Sequence, residues 1–533
     1  MLIKSFVLML VIIFTWLKTH TDVHRFQLIG YFNGHYLKWV SEDIRRLVKP
    51  HETLYVIGIL LVFLSGVTWV QLLGLLLIAI DFYFFHLIKT AYPQKKKLVY
   101  TPRVKRLLVT DLVLVVLLGL AIGFMPSPLN MVGALLVYIF SFLWLILSNI
   151  INKPIESAIN NYYYNDAKRL LAKNPNMTVI GITGSYGKTS TKNVLYAMLS
   201  KDFNVLMTPE SFNTKMGLTR TIREGLKPTH QIFIAEMGAK VVGEIRELVE
   251  FVHPTMGIIT SIGPQHLETF KTFENIVSTK GEMFKYLEPN GTAFVNVSDP
   301  NIVSLPKRDD LSYIYFSAQA ELPETLKITP DYMIESIAIN NSGSSFTLVH
   351  TPTGKKVRLG TGLLGRHNLS NVVAGAAMAL SLGVPMERLP ALTADLKPVE
   401  HRLSYRRVND FYTILDDAFN SNPVGSKMAL EVLGQFEGNK KIVITPGMIE
   451  LGDRHFELNK AFGESIADVC DFVILVGQNQ TKPIQDGLTA KHYDENKLYI
   501  AKNISDAFAK LSEIIELDDV VLLENDLPDT FNE

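Results

Sequence analysis

Between Leu54 and Ile88 the chain runs for roughly 35 residues with Asp81 as its only formal charge. A single bilayer-crossing helix takes about 17–25 residues. The run is therefore too long for one helix and divides near Gly66–Trp69 into two. Three more apolar runs flank it: Leu2–Leu17, Leu107–Met125 with Asp111 inside it, and Asn130–Ile150 after the turn-forming Pro126-Ser127-Pro128. The expectation is an α-helical transmembrane region of about five helices over residues 1–152. For the first run a cleaved signal sequence is the alternative, though no small-residue cleavage site follows it. Asp81 and Asp111 are either functional intramembrane acids or charges that sit near helix ends or pair with each other.

Charge between the runs sets an orientation. The 18–53 segment holds Lys18, Arg25, Lys38, Arg45, Arg46 and Lys49, and the 89–106 segment holds Lys89, Lys95, Lys96, Lys97, Arg103, Lys105 and Arg106. The short turns on the other side carry no Lys or Arg. An excess of basic residues marks the cytoplasmic side. Five spans then place the N-terminus outside and everything after Ile150 inside. The predicted localisation is the cell membrane, multi-pass, with the domains after Ile150 in the cytoplasm and a lipid bilayer as partner.

After Lys153 the pattern changes to short apolar runs alternating with helical stretches, which predicts α/β layers built on parallel sheets. Strands are expected at Thr178–Thr183, Gln231–Glu236, Met256–Ser261, Gly291–Val297, Tyr412–Leu415, Lys441–Thr445, Phe472–Val476 and Val520–Leu523. Helices are expected at Lys188–Leu199, Lys427–Leu433 and Glu457–Val469. Asp309–Leu359, rich in Ser and Thr, reads as a small antiparallel excursion. The expected division is a linker helix over 153–175, a central parallel-sheet domain over 176–398, which opens on the P-loop described below, and a C-terminal Rossmann-like domain over 399–533. Lys plus Arg and Asp plus Glu number 52 each, which gives no support to a nucleic-acid partner. Cys470 is the only cysteine, so no disulfide framework or Cys-based zinc site is available.

The chemistry starts at Gly181-Ile182-Thr183-Gly184-Ser185-Tyr186-Gly187-Lys188-Thr189-Ser190, which follows a strand and opens a helix. Backbone N–H groups of such a loop, with the helix N-terminus, form an anion site. Lys188 can reach β- and γ-phosphates, and Thr189 can place its hydroxyl on Mg2+. The strict P-loop pattern wants glycine where Ile182 stands.

The string from Thr183 to Ser190 resembles the ATP loop of the Mur ligases, the ATP-dependent amide-bond ligases of bacterial cell-wall synthesis. The likeness continues through Ile234-Ala235-Glu236-Met237-Gly238-Ala239, Gly243-Glu244-Ile245, Thr260–Glu268 with His266, Lys280-Gly281-Glu282, Gly365-Arg366-His367-Asn368 with Asn371, Arg402, Leu415–Pro423 and Gly447–Gly452. It covers about residues 175–525. The set is nearest the members that add D-alanyl-D-alanine.

The resemblance implies roles. Lys188, Lys280 and His266 would be catalytic. Gly184, Ser185, Gly187, Lys188, Thr189, Ser190, Asn296, Asn371, Arg402 and Asp417 would hold ATP, with Asn296 and Asn371 on the adenine side, Arg402 on the phosphates and Asp417 on the ribose. Thr189, Glu236, His266 and Lys280 would hold Mg2+ at two sites, Lys280 after carbamylation by CO2. Without the resemblance, His266 reads as a surface or satisfied core histidine, Lys280 as a solvated charge and Asp416-Asp417 as a turn and helix cap.

The resemblance fails at both ends. Membrane segments stand where soluble members carry a domain for the UDP end of the substrate. The family's Lys-Gly-Ser-Arg string after the last strand is replaced by Leu523-Glu524-Asn525-Asp526-Leu527-Pro528, and Ser211-Phe212-Asn213-Thr214 matches the family's substrate-side Asn pair only in part. The expected function is an acid–amino-acid ligase of peptidoglycan precursor synthesis that works through an acyl phosphate and adds D-alanyl-D-alanine to a UDP-muramoyl-tripeptide. One alternative is a ligase acting on a lipid-linked or other membrane-borne acceptor. Another is a non-catalytic membrane scaffold for cell-wall enzymes. A P-loop-driven transporter fits worse, since the apolar runs show no repeat. The expected partners are a cell-wall peptide precursor, an amino acid or dipeptide and other cell-wall enzymes.

Overall fold

The structure is a computed structural model and describes residues 2–42, 51–91, 97–126, 128–319, 321, 328–340, 343–419, 421–449 and 451–525. Arg45, Arg46, Lys49, Lys95, Lys96, Ser127 and the run from Asp526 lie outside the described residues, as do the side chains of Lys89 and Glu268. Two compact units divide near Tyr162 and Tyr163.

The first unit is helical. Its helices are α1 (Leu2–Leu28), α2 (Asn33–Glu42), α3 (Glu52–Leu64), α4 (Thr68–Ala91), α5 (Pro102–Gly123), α6 (Leu129–Ile139) and the first part of α7 (Ser141–Ala172). The long apolar run breaks between Leu64 and Thr68, as its length demands. Its two halves pack backbone to backbone, because a Cβ on Gly58 would lie 2.6 Å from the Gly74 carbonyl oxygen. Thr101 caps α5 by accepting from the Val104 N–H at 3.3 Å.

Three expectations are corrected here. The first apolar run does not end at Leu17, and Lys18 is no solvated loop residue. Its ammonium is buried and pairs with Glu52 at 3.0 Å, which lets α1 continue to Leu28. Asp81 and Asp111 do not pair with each other: Asp81 meets His51 Nδ1 at 2.7 Å, and Asp111 accepts from Ser148 Oγ at 3.5 Å. The fifth run is two helices, α6 and α7, bent by 71°. Among the described residues, two helices are long and apolar enough to cross a membrane, Phe6–Leu28 and Pro102–Gly123, or three if the bent pair counts as one. Helices α3 and α4 are apolar but present shorter stretches, Glu52–Leu64 and Thr68–Phe84. Large apolar side chains on this unit face outward, among them Leu72, Leu76, Val113, Leu117, Leu120 and Phe124.

The second unit holds two sheets. In the first, β1 (Thr178–Thr183), β2 (Val205–Met207), β3 (Ile232–Glu236), β4 (Met256–Ile259), β5 (Thr292–Asn296), β6 (Ser312–Phe316), β7 (Tyr332–Asn340), β8 (Gly343–His350) and β9 (Lys355–Thr361) lie in the order β2-β3-β1-β4-β5-β6-β7-β8-β9. Pairing is parallel as far as β7, and β7, β8 and β9 are antiparallel, so the excursion expected over Asp309–Leu359 is confined to β7–β9 while β6, within that range, pairs in parallel. Both faces of the parallel part are covered. Along β3, Ile232 and Ile234 join one core and Phe233 and Ala235 the other, so the strand reads as an unbroken apolar run. Helix α8 (Lys188–Leu199) covers the first face with Val194, Leu195 and Met198.

In the second sheet β10 (Ser404–Val408), β11 (Tyr412–Asp417), β12 (Lys441–Thr445), β13 (Phe472–Val476), β14 (Leu498–Ala501) and β15 (Val520–Glu524) lie in the order β10-β11-β15-β12-β13-β14. All pairs are parallel except the edge pair β10–β11. Ligands of such sheets sit beyond the C-terminal ends of the parallel strands. Those ends carry the loops after β1, β3, β4, β11, β12 and β15.

Candidate active site

The loop after β1 is shaped by contact with the loop after β4. Gly184 has φ +147°, and a Cβ there would fall 2.1 Å from Thr260 Oγ1, so only glycine fits. Ser185 Oγ donates to the Gly263 carbonyl at 2.9 Å and accepts from the Gly263 N–H at 3.0 Å. The Tyr186 N–H donates to Ser261 Oγ at 3.0 Å. Two of the motifs singled out in the sequence are thus one hydrogen-bonded body. Gly187 precedes the first turn of α8, which holds Lys188, Thr189 and Ser190.

Lys188 folds back over the loop and donates to the carbonyls of Gly184 at 2.7 Å and Ser185 at 3.0 Å. Burial lowers its pKa to about 8; the Glu236 carboxylate opposes that shift and the Arg402 guanidinium adds to it. Charges from both sheets of the unit therefore act on this ammonium.

Glu236, the last residue of β3, is the most crowded carboxylate here. It accepts from Thr189 Oγ1 at 3.1 and 3.2 Å and from Asn213 Nδ2 at 3.1 Å, and its Oε2 lies 3.0 Å from Lys192 Nζ. Lys192 and Asn213 were not among the expected site residues. Asn213 lies in the segment flagged as a partial match. Lys192 is four residues past Lys188, one helical turn along α8, and that spacing was the available signal.

Lys280 is buried on the helix Phe273–Lys285, not solvated. Burial lowers its pKa to about 7; the Lys188 ammonium adds to the shift and Glu244 and Glu282 oppose it. His266 stands at φ +53° as N-cap of the turn Leu267–Phe270, and its carbonyl accepts from the Thr269 and Phe270 N–H groups at 3.0 Å. Among the described residues no three His, Cys, Asp or Glu side chains converge as a metal cluster.

Asn371 accepts from Thr191 Oγ1 at 2.9 Å and donates to Asn368 Oδ1 at 3.0 Å, which ties the helix Arg366–Ser381 to α8. Asn296, at the end of β5, donates to Ser370 Oγ at 3.4 Å. From the second sheet come Arg402, stacked 4.1 Å from the Phe419 ring, and Asp417, which accepts from the Leu403 N–H at 3.0 Å. Burial lowers the Arg402 pKa against Asp417 and Glu236, and raises that of Asp417 to about 6 against Arg402. The neighbouring Asp416 bonds His401 Nδ1 at 2.8 Å and the Ala418 N–H at 3.2 Å, which is the turn-capping role left open in the sequence. Asn420 and Glu450, inside two of the motifs, lie outside the described residues.

The donor set fits a phosphate and a hard divalent cation. The loop is a closed cradle with a cation over it, and Thr189 and Glu236 supply oxygen ligands of the kind Mg2+ takes. In this structure the Lys192 ammonium neutralises Glu236. An unmodified Lys280 ammonium does not fit as a metal ligand.

Fold and loop together define a phosphate-loop α/β protein with a second α/β domain after it. Family models for the Mur ligase middle domain and the Mur ligase glutamate ligase domain match residues 182–379 and 401–524. The two matches together span more than half of the chain, and the chain belongs to the Mur ligase family. It is 31% identical over 291 residues to a UDP-N-acetylmuramoyl-tripeptide--D-alanyl-D-alanine ligase of Buchnera aphidicola, covering 55% of this chain and 61% of that one. The Escherichia coli ligase of the same name is 30% identical over 306 residues, covering 56% of this chain and 64% of its own. The chain thus spans a little over three fifths of these two curated relatives. The crystal structure of a Thermotoga maritima MurF ligase in complex with ADP superposes with a TM-score of 0.60 at 25% identity, covering 69% of this chain and 80% of the other.

Proposed function

We propose that the chain is an ATP-dependent acid–amino-acid ligase that adds D-alanyl-D-alanine to a UDP-muramoyl-tripeptide. The observation that carries this reading is the grouping of Thr189, Glu236 and Lys192 beneath a loop topped by Lys188, with Arg402 close enough to act on Lys188. Two curated relatives and an ADP-bound solved structure carry names that agree with it.

The γ-phosphoryl group of ATP passes to an oxygen of the acceptor carboxylate, giving an acyl phosphate and ADP. The incoming amine attacks the acyl carbon, the bond to the phosphate oxygen breaks, and phosphate and one proton leave. Bringing one anion to another needs positive charge, which Lys188 and Arg402 supply. Thr189, Glu236 and His266 would hold Mg2+, which supplies charge neutralisation at the phosphates. Lys280, whose pKa burial lowers to about 7, has a neutral fraction at neutral pH that could attack CO2, and as a carbamate it would complete a second Mg2+ site. Gly184, Ser185, Gly187 and Ser190 would cradle the phosphates, Asn296 and Asn371 would face the adenine, and Asp417 the ribose. The binding cleft would then lie between a domain over 176–398 and one over 399–533.

The first unit acts as a multi-pass membrane anchor in this reading, with the second in the cytoplasm. Its outward apolar side chains and buried Lys18–Glu52 pair suit a bilayer better than water. Retention in membranes after an alkaline wash tests this, and release into the supernatant contradicts it.

The same apolar exterior favours a second reading, in which the acceptor is lipid-linked. Purified chain is given ATP with D-alanyl-D-alanine and either the UDP-linked tripeptide or a membrane lipid extract. A product heavier by the dipeptide from the UDP-linked acceptor supports the first reading. Product from the lipid extract alone replaces it with the second.

A further inference from the structure

A cavity of about 390 Å3 opens in the second unit where the segment after His266 faces the turn Gly452–Arg454. Pro264, Leu267 and Phe273 form its apolar walls, and Lys271 and Arg454 are its charged residues. That volume lies in the range of small-molecule sites. Among the described residues, no carboxylate lines it.

Lys271 is held there against its own backbone preference. It sits at φ +70° and ψ −44°, a conformation that side-chain-bearing residues rarely adopt and that marks functional sites when it persists. Its N–H donates to the Leu267 carbonyl at 2.9 Å, which closes the turn. Local structure alone would favour glycine, so the lysine brings something other than stability. Among the described residues its ammonium has no ion-pair partner. Arg454 meets Glu457 at 2.8 Å, but both are largely exposed and such pairs hold weakly.

We infer that this cavity holds the carboxylate of the incoming amine substrate, a small apolar amino acid or dipeptide. The inference rests on the ligase reading and narrows it. Both substrates of an amide ligase bring carboxylates, but they differ in fate. The acceptor's carboxylate must reach the phosphate loop and becomes an amide. The incoming molecule keeps its carboxylate throughout, and so needs a permanent counter-charge away from the phosphates. Two cations from different parts of the unit, over apolar walls that suit methyl groups, supply that.

The test compares D-alanyl-D-alanine with its C-terminal amide as amine substrate, with ATP and the UDP-linked tripeptide, in the full-length chain. Wild type should use the amide about 10- to 100-fold less well in kcat/KM, the range for loss of a charge-assisted contact. In the Lys271→Gly, Arg454→Met double variant the two substrates should become nearly equal, with KM for ATP unchanged. Lys271→Gly alone should raise the thermal midpoint while raising KM for the dipeptide, a split that a structural role would not give. Variants that keep the wild-type preference overturn the inference. Wild-type product without any carboxylate preference overturns it alone, whereas no product from either substrate overturns the UDP-linked reading on which it rests together with it.

Discussion

Lys192 Nζ lies 3.0 Å from Glu236 Oε2, and each side chain is only 1% exposed. The pair holds together the strand end and the helix that frame the phosphate loop. Its Coulomb gain offsets a large desolvation cost, so removing one partner is worse than never having had the pair. Lys192→Met should lower the stability of the second unit by about 3–5 kcal/mol. Millimolar Mg2+ should restore part of that loss, since Glu236 is then free to bind it. Thermal melts with and without Mg2+ check this, and a variant as stable as wild type contradicts the pairing.

His367 reports on acid stability. Among the described residues its Nδ1 is buried without a hydrogen-bond partner, and burial lowers its pKa from 6.5 to about 4. Between those values the unfolded chain binds the proton and the folded chain does not. Stability present above pH 6.5 is therefore lost as the pH falls towards 4. His367→Gln should flatten that limb of the denaturation midpoint against pH, and an unchanged limb would assign the acid loss elsewhere.

Glu524 carries the opposite sign. It is fully buried at the end of β15, bonded to Ser421 Oγ at 2.6 Å, with Oε2 unpartnered among the described residues. Burial raises its pKa well above the usual value, and Asp417 on the paired strand adds to that. The folded state keeps a proton that the unfolded state releases, so wild-type stability from this group falls as the pH rises above 4.5. Glu524→Gln should match wild type near pH 4 and exceed it increasingly towards pH 8. Glu524→Ala should instead lose about 1–3 kcal/mol, because Ser421 is left unpartnered. Equal midpoints for Gln and wild type at pH 8 would mean the carboxyl is ionised in the fold.

Strands β1, β12 and β13 coincide with the runs read from sequence, since strands buried on both faces are unbroken apolar runs. The edge strand β10 carries Arg406 and Arg407 and was missed, as was the short edge strand β14. β10 shows water a polar row, which locally says loop, whereas β14 is apolar but only four residues long, too short to stand out in the sequence. The first helix was cut at Lys18 because the partner that neutralises this residue, Glu52, lies 34 positions away. The same limit hid Lys192. Its meaning depends on Glu236, which only the parallel pairing of β1 and β3 brings alongside α8. Loop and motif residues were legible because their chemistry is local in sequence. The carboxylate–ammonium partnerships were not, because packing decides them.

The most direct test of the account is ADP release by the full-length chain with ATP, the UDP-linked tripeptide and D-alanyl-D-alanine, compared between wild type and Lys188→Ala. The account predicts acceptor-dependent ADP release by wild type and a loss of at least about 100-fold in the variant, with the thermal midpoint retained. Undiminished turnover in a folded Lys188→Ala chain would contradict the site.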